Sequence, residues 1–456
     1  MKRYIYKYAL LIGAVALWSC EPKVDEFKPN SGTADFSKFV AIGDSYTAGY
    51  TDGALSKSGQ ESSFAYIVAK QMMHTGLSSF DQPLLPDGKS IGSSGNGSFY
   101  LVETGNPASP VIPFTQVPGD IELLTDPTTW INGQYQNIGV PGAKSIHMVT
   151  PLYGDPSLGA GNFNPFFARF TSNPGTSSML DDAVSNDPSF FSCWMAGNDV
   201  LTYALAGGEG GVGTGTTDIT DEMSFAGAMN LTLQKLTMNG AKGVIGNIPE
   251  IESIPNISYI KYDDLVIDAT TAAALNAGYA QYNAAATANG LPTMDFAEGR
   301  NAFVIADASH PLTMRQIKEG EKILLSALSG IQGDDKWGSA SPLPESQVLD
   351  LEEVANIENA TVSFNSILKD LAQSYDLAFV DANALLKELG STGIIIDGHH
   401  YTGTFVTGGI FSLDGIHTTG RGSAIIANEF IDAINAKYDA TIPRANINDY
   451  DMVMFP

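Results

Sequence analysis

The sequence predicts an α/β fold built around a parallel sheet. Three observations carry that expectation. Short apolar runs alternate with amphipathic stretches, the pattern of repeated βα units. Two of those runs, Phe39-Val40-Ala41-Ile42 and Phe190 to Met195, end at a glycine, Gly43 and Gly197, as a strand does where it meets a tight turn. The third is bulk: 456 residues, 43% of them hydrophobic, suffice for one large domain with insertions or for two ordinary domains.

The N-terminus reads as an export signal. Lys2, Arg3 and Lys7 supply a positive segment, and Ala9 to Trp18 an apolar one too short to span a bilayer. Leu17-Trp18-Ser19-Cys20 closes it and resembles the lipobox of bacterial lipoproteins, whose Cys becomes the lipidated first residue; Trp18 is bulkier than that pattern usually has. The expectation is a signal peptide over 1–19 and a lipid at Cys20. The protein would then be exported and membrane-anchored, on an outer-membrane, periplasmic or surface face. An ordinary secretory signal is the alternative. Residues 20–36, polar with Pro, Gly and Ser, read as a tether, and 37–456 as one domain with insertions.

Within that domain, Phe39 to Ile42 is the first strand, Phe190 to Met195 the second, Gly243 to Ile248 the third and Leu377 to Val380 the fourth. A helix from Phe225 to Met238 precedes the third strand and stops at Asn239-Gly240. Before the fourth lies the strongest helical pattern: Val354, Ile357, Phe364, Ile367, Leu368 and Leu371 form one apolar stripe. A last helix carries Ile425, Ile426, Phe430 and Ile434 on one face. These stripes read as core and imply no cofactor. Residues 77–130 read as a long loop region, and Arg315 to Leu328 as a charged helical piece inside a second insertion, 299–345. Long loops in an enzyme shape or cover its site.

Fifty acidic residues against 24 basic leave a net charge of −26. So acidic a surface repels phosphate backbones, and no nucleic acid is expected as partner. There are two cysteines; with Cys20 lipidated, Cys193 has no partner, and its apolar run marks it as a buried, inert thiol.

The chemistry-bearing residues sit on strand edges. In Gly43-Asp44-Ser45 a serine follows directly on the first strand, at the sheet edge where such folds place reactive groups. Ser412-Leu413-Asp414-Gly415-Ile416-His417 supplies a base and a carboxylate three residues apart, which at the start of a helix meet within one turn. A serine nucleophile needs that pair: a base to take its proton and an acceptor to fix the base's tautomer. Asn137-Ile138-Gly139-Val140-Pro141-Gly142-Ala143 offers two glycines in a turn, where a bare N–H approaches a ligand closely. Ala196-Gly197-Asn198-Asp199 follows the second strand and sets the Asn198 amide at the same edge; taken singly, each of these is equally a plain loop or a helix cap. Asp397-Gly398-His399-His400 is the sole histidine cluster and lacks ligands at helical spacing, so no metal is expected.

In this order, Gly-Asp-Ser, Asn-x-Gly-x-x-Gly, Gly-Asn-Asp and Asp-x-x-His resemble the four sequence blocks of the SGNH/GDSL hydrolase family, from about Phe39 to Ala436. The resemblance implies Ser45 as nucleophile, Asp414 and His417 as its partners, and Gly142 and Asn198 joining the Ser45 N–H in an oxyanion hole. It implies a three-layer α/β/α sandwich, flavodoxin-like, and no metal or cofactor. Two residues depart from the pattern. Tyr46 stands where the family's name has Leu, and bears on substrate preference. Ala196 replaces a glycine, leaving the backbone before Asn198 less free. The expected reaction is hydrolysis of a small-molecule, lipid or carbohydrate ester through an acyl-enzyme. A carbohydrate acetylesterase on the same triad and a non-catalytic ligand-binding lipoprotein are the alternatives. The Gly/Ser/Pro-rich insertions offer no sustained apolar lid face, so short acyl chains are expected. Phe64, Tyr66, Phe99, Tyr100 and Phe114 are the candidates for a longer acyl groove.

Overall fold

Phe39-Val40-Ala41-Ile42-Gly43 has no polar side chain, and all five residues are buried in strand β1 (Phe39–Gly43). A strand with neighbours on both edges and layers on both faces reads in this way. In the computed structural model, which describes residues 28–106 and 109–455, it is the fourth of five strands in one wholly parallel sheet. The others are β2 (Asn137–Gly139), β3 (Phe190–Trp194), β4 (Lys242–Gly246) and β5 (Ala378–Val380). Their order across the sheet is β5-β4-β3-β1-β2. That is the flavodoxin-like doubly wound order, and its switch point, where ligands bind, lies between β1 and β3. The four expected strands are all present; β2 is an addition, since Asn137 to Gly139 was read as part of a turn.

Helices cover both faces. On one, α1 (Phe64–Met72) packs against α5 (Gly420–Tyr438), which also lies on β4 and β5. On the other, α2 (Asn198–Leu205), α3 (Glu222–Thr237) and α4 (Leu351–Ser374) pack together. The expected stripe on α4 is seen: Ile357, Phe364 and Leu368 are buried, and Phe364 stacks on Phe225 of α3 at 4.1 Å. Asp350 and Glu353 close its N-terminus as a reciprocal capping box, with bonds of 2.7 and 2.8 Å. On α5, Ile425, Ile426, Phe430 and Ile434 are all buried. Among the described residues no helix is long and apolar enough to cross a membrane.

Three expectations are corrected. The described end of the 20–36 tether is packed onto the domain: Asn30 bonds Thr441, and Phe36, 1% exposed, sits edge-on to Phe190 at 4.9 Å. Burying one Phe is worth about 1.5–3 kcal/mol toward holding this segment in place. Residues 1–27, with the signal and Cys20, lie outside the described residues. Within 77–130 a long antiparallel hairpin, Asn96–Asn106 with Ser109–Pro118, replaces uniform loop. Arg315 to Leu328 is not helical: it holds short strands at Met314–Gln316 and Lys322–Ile323 and a single 3₁₀ turn at Leu325–Ala327. Gly320 at φ +95° breaks the segment there, and Arg315 folds back to bond Asp307 at 2.6 Å and Glu321 at 2.7 and 2.8 Å. This segment belongs to the insertion between β4 and α4, which has small cores of its own around Phe303 and Ile323 and around Phe296 and Val304. Cys193 is buried in β3, and burial pushes its thiol up to about 12.

Candidate active site

β1 ends at Gly43 because nothing larger fits: a Cβ there would meet Thr47 Oγ1 at 2.0 Å and the Trp194 carbonyl at 2.4 Å. Asp44 then turns the chain, its carboxylate accepting the Tyr46 N–H at 3.0 Å, and Ser45 opens a single helical turn, Ser45–Ala48. Ser45 is only 7% exposed. As first residue of the turn, its N–H has no acceptor within the helix.

The Asp414 and His417 segment was expected at the start of a helix. It forms instead a turn ahead of α5, which begins at Gly420. The two side chains still meet, through a different device. Asp414 Oδ1 accepts the N–H groups of Ile416 and His417 at 2.9 and 2.8 Å, the side-chain-to-backbone turn that Asp favours. Oδ2 is thereby left to His417 Nδ1, at 2.8 Å, and to the Gly53 N–H, at 2.9 Å. His417 Nε2 lies 2.8 Å from Ser45 Oγ. Burial would raise the Asp414 carboxyl, but His417 and the two backbone N–H groups outweigh it and hold it below the usual carboxylate range. An ionised Asp414 keeps the imidazole proton on Nδ1, so Nε2 is free to accept from the serine hydroxyl.

Gly142 and Asn198 reach the same edge by way of the sheet order. β1 lies between β2 and β3, so the loop after β2 and the helix after β3 both emerge beside Ser45. Gly142 takes φ +78°, with open space where a Cβ would be, and among the described residues its N–H has no partner in the chain. Asn198 does not cap α2: its Nδ2 donates to the Ala143 carbonyl at 2.9 Å. Asp199, fully buried, accepts from the Ser145 N–H at 2.8 Å and hydroxyl at 2.6 Å. These cross-ties fasten the Gly142 loop to the start of α2. Ala196, where a glycine was expected, holds φ +100° while fully buried, a strain of order 1–3 kcal/mol that the surrounding packing sustains.

Several residues of the site were missed or misread. Tyr46 packs against the His417 loop: its hydroxyl donates to the Ile416 carbonyl at 2.7 Å and its ring lies 4.9 Å from Trp194 and 5.4 Å from His417. Tyr50 places its ring 4.8 Å from that of His417, and its hydroxyl donates to the Gly53 carbonyl at 2.7 Å. Asp44 is buried, and burial pushes its carboxyl up to about 7. The one signal that pointed to Gly53 was the Asp52-Gly53 dipeptide, a strong tight-turn marker. Of the groove candidates, Phe64 is core against Trp194 and Phe430, and Tyr66 faces Phe80. Phe99 covers Gly53, and Tyr100 is 45% exposed. The Phe114 side chain lies outside the described ones. His399 and His400 lie on a two-stranded hairpin turned by Asp397-Gly398, with His400 Nε2 2.8 Å from the Thr392 carbonyl.

No family model matches the chain, and no curated protein does. Among solved structures it is similar to a variant of an acetyl-xylooligosaccharide esterase from Geobacillus Stearmophilus, at 10% identity and a TM-score of 0.34, over 88% of this chain and 96% of that one.

Proposed function

We propose that the protein is a serine ester hydrolase of the SGNH/GDSL kind, with Ser45 as nucleophile, His417 as base and Asp414 as its orienting acid. One observation carries this reading: the unbroken chain from Ser45 Oγ through His417 to Asp414, two hydrogen bonds of 2.8 Å, at the switch point of the sheet. Ser45 attacks the ester carbonyl as His417 Nε2 takes its proton. His417 then returns that proton to the leaving alcohol, and water, activated by the same imidazole, releases the acid. The Ser45 and Gly142 N–H groups and the second hydrogen of the Asn198 amide receive the developing oxyanion.

The substrate read here is a short-chain acyl ester of a small molecule or a carbohydrate. Ser45 and His417 are recessed, at 7% and 9% exposure, and of the aromatic residues considered for a long acyl groove Phe64 and Tyr66 pack into the core and Phe99 covers Gly53. The protein is further read as an exported lipoprotein anchored through Cys20, which rests on the sequence of residues 1–20.

A fluorophosphonate should label Ser45 in the wild type, and Ser45→Ala should lose turnover at unchanged melting temperature. Across p-nitrophenyl esters, acetate to butyrate should exceed decanoate in kcat/KM. Labelling at another serine, or full activity in Ser45→Ala, would exclude the assignment. A tenfold preference for decanoate would exclude only the short-chain reading.

A further inference from the structure

We propose that the Asp52-Gly53 turn is a positioning element for Asp414, a brace that ties the Asn96–Pro118 hairpin to the triad. The inference rests on the hydrolase reading above and adds residues to it that touch no substrate.

Thr51 and Ala54 bond each other in both directions, at 3.0 and 3.1 Å, around Asp52 at φ +51° and Gly53 at φ +75°. Positive φ at both central residues defines the type I′ turn, for which Asp-Gly is a preferred sequence. Most of the polar groups of this turn that reach outward bond the segment carrying Asp414 or the hairpin. The Gly53 N–H donates to Asp414 Oδ2, the oxygen that also holds His417. The Asp52 N–H donates to Ser412 Oγ at 3.0 Å, and that hydroxyl donates onward to Asp414 Oδ1 at 3.1 Å. Asp52 Oδ1 accepts the Leu413 N–H at 2.9 Å. Thr51 Oγ1 donates to the Thr418 carbonyl at 3.0 Å. On the far side the Asp52 carbonyl accepts the Phe99 N–H at 2.7 Å, and the Phe99 ring occupies the space a Gly53 Cβ would need, at 2.5 Å.

The consequence is mechanical. Asp414 sits in a turn with no helix beneath it: the Ile416 and His417 N–H groups hold Oδ1, and the Gly53 N–H is the backbone donor that holds Oδ2. The Asp52-Gly53 turn grips the segment at Ser412, Leu413, Asp414 and Thr418, and the hairpin backs the turn through Phe99. Losing the grip lets the carboxylate drift from His417, and misplacement on the ångström scale costs up to about a hundredfold in rate.

The test compares Asp52→Ala, Asp52→Asn and Ser412→Ala with the wild type, reading kcat, KM and the strongly downfield proton resonance of the His417 Nδ1–H. Asp52→Ala should lower kcat about tenfold to a hundredfold with KM within about twofold, and should broaden or shift that resonance. Asp52→Asn keeps an oxygen for the Leu413 N–H and should restore both. Ser412→Ala should show the intermediate loss, and it stands in if Asp52→Ala does not fold. A lower melting temperature with kcat and resonance intact, or a rise in KM alone, overturns the proposal. If the wild type hydrolyses no ester and Ser45 is not labelled, the hydrolase reading falls by itself. The resonance still decides whether this turn holds the Asp414–His417 bond.

Discussion

Replacing Asp414 by Asn tests the triad most sharply, because the structure dictates which way the amide must face. In one orientation the amide oxygen takes the place of Oδ1 and keeps the N–H groups of Ile416 and His417. The NH₂ then faces His417 Nδ1 and leaves one buried donor, the Gly53 N–H, without an acceptor. In the other, the NH₂ confronts both of those backbone N–H groups. An unsatisfied buried donor costs about 1–3 kcal/mol, so the first orientation is preferred. It obliges Nδ1 to accept, which moves the single imidazole proton to Nε2 and aims an N–H at Ser45 Oγ. His417 can then no longer take the serine proton. Inverting the tautomer in this way costs about 10⁴ in rate in a Ser-His-Asp enzyme, about 5.4 kcal/mol at 1.36 kcal/mol per decade. The assay is kcat/KM on p-nitrophenyl acetate together with the rate of Ser45 phosphonylation, with melting temperature as the control for folding. A folded Asp414→Asn protein that keeps more than a tenth of either rate would refute the reasoning.

Asn198→Ala should lower kcat roughly 10²–10³-fold with little change in KM, since the amide acts on charge that develops only in the transition state; a loss below fivefold would leave it a tie to Ala143 and no more. Asp44→Asn keeps the acceptor for the Tyr46 N–H and removes a buried charge. Burial raises the folded Asp44 carboxyl from 3.8 to about 7. Its contribution to stability is therefore fully present below pH 4 and lost as pH rises through 7. The melting temperature of Asp44→Asn relative to wild type should climb between pH 5 and pH 8; a difference flat in pH would show that Asp44 carries no such penalty. Cys20→Ser should release active protein from the membrane fraction, and wild type found soluble without lipid would favour simple secretion.

The sheet was legible where a strand is buried on both faces, because such a strand is a near-continuous apolar run: β1, β3, β4 and β5 all announce themselves in this way. β2 did not, since three residues with two polar or bare side chains carry no periodicity, and only pairing with Ala41 to Gly43 makes Asn137–Gly139 a strand. Helices with one apolar stripe were equally plain. The Arg315 segment was not, because its charges pair across a turn with Asp307 and Glu321 and not along a helix face. At the site, the sequence by itself supplied the parts: a serine on a strand end, and a histidine three residues from a carboxylate. Residue type and local spacing suffice for that. What the tertiary structure alone decided is how these parts are held. The sheet order brings the loops after β2 and β3 to either side of Ser45. Tyr46 packs on the His417 loop. The grip of Asp52 and Gly53 on Asp414 spans more than 350 residues of chain. Hydrogen bonds at that separation leave no periodicity in a sequence, because they depend on where folding sets two turns and not on what lies beside them in the chain.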